Sequence, residues 1–206
     1  MNYQTIIVPY RNRPQHLTAF LAHMRAYIPS ISPTIPDINI CIVEQSDVRL
    51  FNRARLLNIG ALECPSAYYI MHDIDMLPID CHYTPSMHAE IIQFAASKIQ
   101  LKDYLGGVTM FSHPVFWKSG GYNNDYFHRA EDNEMMFNLK QLRIPVLNEF
   151  YQFKQLQHKR DPNEFNAALW DKAQQKRSKQ NQLLCCAYNI IHKSVDGNVM
   201  YLKVDF

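Results

Sequence analysis

The sequence predicts an α/β fold in which a mostly parallel central sheet is flanked by helices. Two observations support this prediction, and a third bears on the number of domains. Strands and helices alternate at regular spacing through the first 80 residues, an order typical of parallel sheets. The strands are short continuous apolar runs, as expected when both faces of a sheet are covered. With 206 residues, 47% of them hydrophobic, the chain can bury one substantial core, so we predict a single domain.

The first half of the chain supplies three strands and two helices. Strands are predicted at residues 5–10, 38–44 and 69–72. One helix opens at Pro14, because proline presets the backbone angle of a first helical turn, and a second covers residues 52–64. In the first helix, apolar residues recur every three or four positions on one face. They are Leu17, Phe20, Leu21, Met24 and Ile28.

Polar residues follow the predicted strands. Parallel sheets bind ligands beyond the carboxyl ends of their strands, and these ends carry residues 9–13, 44–46 and 72–75. In a strand, Asp73 and Asp75 would point to the same side, where two carboxylates can hold a divalent cation. Arginine side chains in the first segment can bind an anion beside them. Because the motif is short and common, a simple strand-to-turn junction remains the alternative.

The second half of the chain is less regular. Its predicted elements are a mixed loop and helix at 83–102, a strand at 105–111, a loop at 120–125 and a helix that opens with the acids of 131–134. A strand region at 144–153, a charged helix near 163–182, and a hairpin of 183–192 with 199–206 complete the chain. Acids at a helix N-terminus usually complement the helix dipole, so their position alone does not indicate catalysis.

The composition argues against several classes of protein. The net charge is only +2, so we expect no nucleic-acid partner. No apolar run approaches the roughly 18–20 residues that a transmembrane segment needs, and the N-terminal residues lack the basic region of a signal peptide. Five cysteines form an odd set without metal-ligand spacing, which predicts reduced thiols in a cytoplasmic protein. They are Cys41, Cys64, Cys81, Cys185 and Cys186.

Six segments together resemble one known family, the β1,4-galactosyltransferases, whose catalytic domain has a GT-A type nucleotide-sugar fold. They occur here in the family's order, at residues 8–13, 51–60, 72–75, 104–108, 131–132 and 158–161. The FNRA-x-LLN and HD-x-D segments are the most specific. The resemblance implies one catalytic domain. Because the sequence shows neither a membrane anchor nor a stem, which sets it apart from Golgi members, we expect a compact bacterial type. Residues 1–80 would form its nucleotide-binding half and residues 81–206 its donor-sugar and acceptor half.

The resemblance also implies roles for individual residues. Those expected to bind the UDP-sugar donor are Pro9, Tyr10, Arg11, Arg13, Phe51, Arg53, Asp73, Tyr104 and Gly107. The acceptor-binding residues are Glu131, Asp132, Tyr126 and Trp170, with Asp132 as the catalytic general base. The cofactor Mn²⁺ would be held by Asp75 and His158, with Gln155 as a further candidate ligand. A bulky residue at position 104 goes with galactose rather than N-acetylgalactosamine.

The implied activity is inverting, metal-assisted transfer of galactose from UDP-galactose to a saccharide hydroxyl, with a β1,4 linkage. The acceptor could be a lipid-linked precursor of a surface polysaccharide, reached in the cytoplasm or at the inner face of the membrane. Two alternatives stay open: another UDP-sugar donor such as UDP-N-acetylgalactosamine, and a sugar-nucleotide-binding protein with impaired catalysis. The second is raised by His128 in the loop before the acid pair, and by Gln155 and Arg160, where the family has a methionine or a second histidine. Asn133 replaces the third acid of the usual run.

Overall fold

The computed structural model describes residues 3–31, 37–95, 104–125, 131–158 and 181–206. Within these ranges the strands are β1 (Gln4–Tyr10), β2 (Ile38–Gln45), β3 (Tyr68–His72), β4 (Met76–Pro78), β5 (Ile91–Ala95), β6 (Val108–Ser112), β7 (Leu147–Asn148), β8 (Phe153–Gln155), β9 (Asn189–Asp196) and β10 (Val199–Asp205). The helices are α1 (Pro14–Ile31), α2 (Arg53–Glu63), α3 (His113–Ser119) and α4 (Glu131–Gln141).

An eight-stranded sheet forms the centre of the protein, in the order β7-β5-β6-β3-β1-β2-β10-β9. Its central strands β3, β1, β2 and β10 run parallel. Strand β6 is antiparallel to both of its neighbours, and β9 is antiparallel to β10. Strands β4 and β8 form a separate antiparallel pair. The predicted α/β fold with a mostly parallel central sheet is confirmed.

Apolar side chains cover both faces of the sheet. Helix α2 packs on one face and α1 on the other, where Phe20 and Met24 are fully buried. The approach of α2 to β1 depends on Gly60, because a Cβ atom there would lie 2.3 Å from Cγ2 of Ile7. Coverage on both sides explains why the strands are continuous apolar runs and do not alternate.

Several elements differ from the sequence-based expectation. Of the strand region expected at 144–153, only the two residues of β7 and the first residue of β8 are strand. Residues 91–95, expected within a mixed loop and helix, form the buried strand β5, since pairing with β6 outweighs the polar character of the flanking sequence. Helix α3 was not predicted, although Ser112 caps it and Pro114 lies in its first turn. It ends at Gly120, whose φ of 82° is left-handed.

The C-terminal hairpin is present but shorter than predicted, because residues 183–188 are not a strand. Strands β9 and β10 pair antiparallel and turn at Gly197, whose φ is +60°. Almost all of the predicted charged helix near 163–182 lies outside the described residues. Within the described ranges, no helix combines the length and the apolar character that a membrane crossing requires. The division into two halves at residue 80 stays a prediction.

Candidate active site

A cavity of about 220 Å³ lies beyond the carboxyl ends of β1 and β3. The structure brings together there most of the residues that the sequence analysis singled out. The cavity is lined by Pro9, Arg11, Arg13, Phe51, Arg53, Asp73, Ile74, Asp75, Tyr104, Glu131, Asp132 and His158. These residues come from all the quoted segments, so the segments meet at one site although they are spread over 150 residues of sequence.

Five predicted site residues are not among those that line the cavity. One of them, Gln155, contacts Asp75 from β8. Tyr10 is buried in the core, and burial together with the Glu44 carboxylate raises its pKa. Gly107 acts through its backbone, where its carbonyl oxygen accepts a hydrogen bond of 3.1 Å from the Asp73 amide. Tyr126 and Trp170 lie outside the described residues. A donor contact from Tyr10 and acceptor contacts from the last two stay predictions.

The two acids of the HD-x-D segment lie in a turn between β3 and β4. The Met76 amide donates to the Asp73 carbonyl oxygen at 3.1 Å and closes this turn. Both carboxylates line the cavity, but strand alternation is not the reason, because neither residue belongs to a strand. The turn itself therefore directs Asp73 and Asp75 to the same site.

Asp75 and His158 are in contact although 83 positions separate them. Asp75 Oδ2 lies 3.2 Å from His158 Nε2 and 3.5 Å from Gln155 Nε2. Strand pairing produces this contact, because Met76 is opposite Gln155 in the β4–β8 ladder and the Leu156 amide donates to the Asp75 carbonyl at 2.7 Å.

The residues around Asp75 fit a manganese site that is completed by a ligand. A carboxylate, an imidazole and a side-chain amide are donors that Mn²⁺ accepts. Among the described residues, no three histidine, cysteine or acidic side chains converge tightly enough to hold an ion by themselves. Further donor oxygens, such as those of a diphosphate, are therefore needed.

Arg53 connects the turn that carries Asp73 and Asp75, called the acidic turn below, to the acids of α4. Its guanidinium lies 2.9 Å from Asp73, 3.1 Å from Asp132 and 3.6 Å from Glu131. The side chains are largely buried, which strengthens these charge interactions. The first turn of α2 holds Arg53 in place because Asn52 caps the helix and also donates to the Asn124 carbonyl at 2.7 Å.

The environment of Asp132 raises the pKa of its carboxyl group toward neutral pH. Burial raises the pKa of this carboxyl to about 7; Arg53 opposes the shift, whereas the neighbouring acids Glu131 and Asp73 add to it. A carboxyl with a pKa near the working pH can act both as a proton acceptor and, after transfer, as a proton donor. The general-base role expected for Asp132 stays a prediction.

Gly106 is a site residue that the sequence analysis did not assign. A Cβ atom at this position would lie 2.0 Å from the hydroxyl oxygen of Tyr104 and 2.1 Å from its ring. The Tyr104 carbonyl accepts a hydrogen bond of 3.0 Å from the Gln93 amide. The phenol of Tyr104 thus lies where a side chain at position 106 would be. The two adjacent glycines are the sequence signal for such a close approach.

Comparison with known proteins shows that the chain is similar to glycosyltransferases. Residues 2–85 match the family described as the N-terminal region of glycosyl transferase group 7. Human β-1,4-galactosyltransferase 4 is 29% identical over 216 residues, which cover 97% of this chain and 61% of the relative. A Lymnaea stagnalis β-1,4-N-acetylglucosaminyl-transferase is 30% identical over 159 residues, 69% of this chain and 31% of that protein. The chain spans about three fifths of the length of the first of these curated relatives.

Solved structures show the same fold. The catalytic domain of Drosophila β1,4-galactosyltransferase 7 in complex with xylobiose superposes with a TM-score of 0.80 at 22% identity, over 99% of this chain and 94% of that one. A mutant of that enzyme, in complex with manganese, UDP-Gal and xylobiose, gives a TM-score of 0.82 over the same shares. Over almost its whole length this chain is therefore similar to β1,4-galactosyltransferases, its residues 2–85 match the N-terminal region of glycosyl transferase group 7, and it has the GT-A fold of the solved structures.

Proposed function

We propose that this protein is an inverting glycosyltransferase that moves galactose from UDP-galactose to a hydroxyl group of an acceptor sugar. The observation that carries the proposal is the single cavity that holds both a basic carboxylate, Asp132, and the contacting pair Asp75 and His158. The relatives named β-1,4-galactosyltransferase and the Drosophila structure with manganese, UDP-Gal and xylobiose support the choice of donor, cofactor and linkage.

Asp75 and His158 would hold Mn²⁺ together with Gln155, and the bound ion would supply positive charge that stabilises the departing diphosphate. Arg11 and Arg13 line the same cavity and can bind phosphate oxygens. The Arg11 guanidinium lies 5.3 Å from the ring centre of Phe51, a contact that keeps the cation at the donor side of the cavity.

Asp132 would take the proton from the acceptor hydroxyl while the hydroxyl oxygen forms its bond to the anomeric carbon. The bond from that carbon to the diphosphate breaks on the opposite face, UDP leaves with the bonding electron pair, and the configuration inverts. Arg53 holds the base toward the reacting groups through its 3.1 Å contact with Asp132. Because displacement is direct, no nucleophilic serine or cysteine is required.

Release of UDP tests the proposal. The protein is assayed with a panel of UDP-sugars and saccharide acceptors, with and without Mn²⁺, beside an Asp75→Ala variant and an Asp37→Ala control at an exposed position. We expect galactose transfer that depends on manganese in the native protein and the control but is lost in Asp75→Ala. Transfer only from UDP-N-acetylgalactosamine would show that the protein uses this donor instead of UDP-galactose. UDP binding without transfer would identify a binding protein.

The pKa of Asp132 predicts how the reaction depends on pH. The base must be ionised, and its pKa is raised from 3.8 to about 7, so activity should be lost as the pH falls through 7. At saturating Mn²⁺, we expect kcat/KM to rise about tenfold per pH unit below pH 7 and to level off above it. Initial rates between pH 5.5 and 8 measure the profile. A flat profile would show that a group with a lower pKa accepts the proton.

Replacing Gly106 with alanine is expected to impair the use of UDP-galactose. The backbone of Gly106 is outside the left-handed region, so alanine is tolerated there, but its methyl group must displace the Tyr104 phenol. We expect kcat/KM for UDP-galactose to fall by about tenfold, while UDP alone binds as before. In a Tyr104→Ala background, Gly106→Ala should have little effect because the clash is absent. Equal losses in both backgrounds would mean that Gly106 acts on the backbone.

We also place the protein in the cytoplasm, where it would reach a saccharide acceptor that is lipid-linked at the inner face of the membrane or free. The support is chemical. The five cysteines are all free thiols, three of them buried, as is usual in a reducing compartment.

A further inference from the structure

His72, the first residue of the HD-x-D segment, does not line the cavity. It is fully buried, and each ring nitrogen has one hydrogen-bond partner. Nδ1 lies 2.9 Å from the Asp73 carbonyl oxygen and Nε2 lies 2.9 Å from the Tyr83 hydroxyl. Burial lowers the pKa of His72 to about 4, which favours the neutral ring. A carbonyl oxygen only accepts hydrogen bonds, so Nδ1 carries the one proton of the neutral ring and Nε2 accepts from Tyr83. The chain of donors therefore runs in one direction, from Tyr83 through His72 to Asp73.

Tyr83 is held in an uncommon backbone conformation. Its φ is +51°, a left-handed value that is rare for a bulky residue and strains the backbone. It is also fully buried, with its ring packed edge-on against Phe94 at 5.8 Å. The His72 ring packs against Phe20 at 5.4 Å and Phe153 at 6.0 Å. Aromatic rings thus surround the buried hydrogen bond between the Tyr83 hydroxyl group and the His72 ring.

The Asp73 carbonyl that His72 binds is the acceptor that closes the acidic turn. It also receives the Met76 amide, while the Asp73 amide donates to Gly107, both at 3.1 Å. Both backbone polar groups of Asp73 are therefore fixed. The turn that this carbonyl closes holds Asp73 against Arg53 and Asp75 against His158.

We infer that His72 and Tyr83 are positioning residues that fix the turn from Asp73 to Met76 and thereby set the geometry of the metal ligand Asp75. Neither residue lines the cavity or touches a reacting group. Groups that orient a ligand in this way typically change metal affinity by about 10–100-fold when they are removed. The inference rests on the proposed metal site at Asp75.

The decisive variant is Tyr83→Phe, which keeps the ring and removes only the hydroxyl group. We expect the Kd for Mn²⁺, measured by calorimetry in the presence of UDP, to rise about tenfold, with UDP binding in the absence of metal unchanged. The matched control is Tyr27→Phe, which also removes a hydroxyl, one that donates to the Cys81 carbonyl at 3.0 Å. The control should bind Mn²⁺ as the native protein does. Equal Kd values for Tyr83→Phe and the native protein would overturn the inference.

Two further measurements separate positioning from general loss of stability. His72→Asn keeps an N–H donor near the position of Nδ1, so it should bind Mn²⁺ more tightly than His72→Leu, which keeps none. Amide hydrogen exchange at Met76 needs no metal, and we expect it to accelerate at least fivefold in Tyr83→Phe but not in Tyr27→Phe. Unchanged exchange would refute the inference. If the native protein itself bound no Mn²⁺ with UDP, the proposed metal function would fail, while the exchange result would still decide the role of Tyr83 in the turn.

Discussion

Replacing Asp132 with asparagine is expected to lower kcat by about 10³-fold, because the amide cannot accept the proton of the acceptor hydroxyl. The substitution keeps the size of the side chain, and Arg53 retains Asp73 at 2.9 Å and Glu131 at 3.6 Å. UDP and Mn²⁺ should therefore bind with unchanged affinity. Steady-state rates give the loss of kcat, and calorimetry gives the two binding constants.

Asp125→Asn serves as the control, since this exposed acid precedes α4 and does not line the cavity. It should leave kcat within twofold of the native value. Glu131→Gln tests the other acid of the pair, which lies beside Asp132 at the start of α4. If transfer persisted in Asp132→Asn but disappeared in Glu131→Gln, Glu131 would be the base and the assignment of Asp132 would be wrong.

The sequence predicted the first half of the fold well because that half is built from local patterns. The spacing of Phe20, Met24 and Ile28 along α1 is visible without any partner, and all three are buried against the sheet. Strand β5 was missed because its pattern includes Gln93, which is buried and donates to the backbone of Tyr104. That interaction depends on a residue eleven positions away, so residue types within β5 could not reveal it.

The candidate site shows the same division. Its acids and arginines could be named because they lie in recognisable segments and the topology gathers strand ends at one edge. What could not be predicted is the pairing within the site. Arg53 binds Asp73, 20 positions away, and Asp132, 79 positions away. Tyr83 reaches His72 from a loop that carries no motif. Such contacts follow from packing, which no single segment encodes.

Arg53→Met is expected to have the largest effect on stability. The buried Arg53 guanidinium lies close to three carboxylates. Methionine has a side chain of similar length but carries no charge. Breaking a buried ion pair by removing one partner typically costs about 3–5 kcal/mol, because the remaining charges must stay buried or take up protons. We expect a loss of this size in the free energy of unfolding at pH 8, measured by urea denaturation.

The loss in Arg53→Met should depend on pH with a definite sign. Arg53 lowers the pKa of Asp132 against the effect of burial, so its removal moves the folded-state pKa further above the unfolded value of 3.8. The folded variant then binds more protons than the unfolded chain, and its stability falls as the pH rises. The loss should thus be smaller at pH 5 than at pH 8. Arg55→Met, which removes a cation 4.7 Å from the Phe206 ring, should cost the same at both pH values. An equal loss at both pH values in Arg53→Met would show that the arginine contributes packing and not charge.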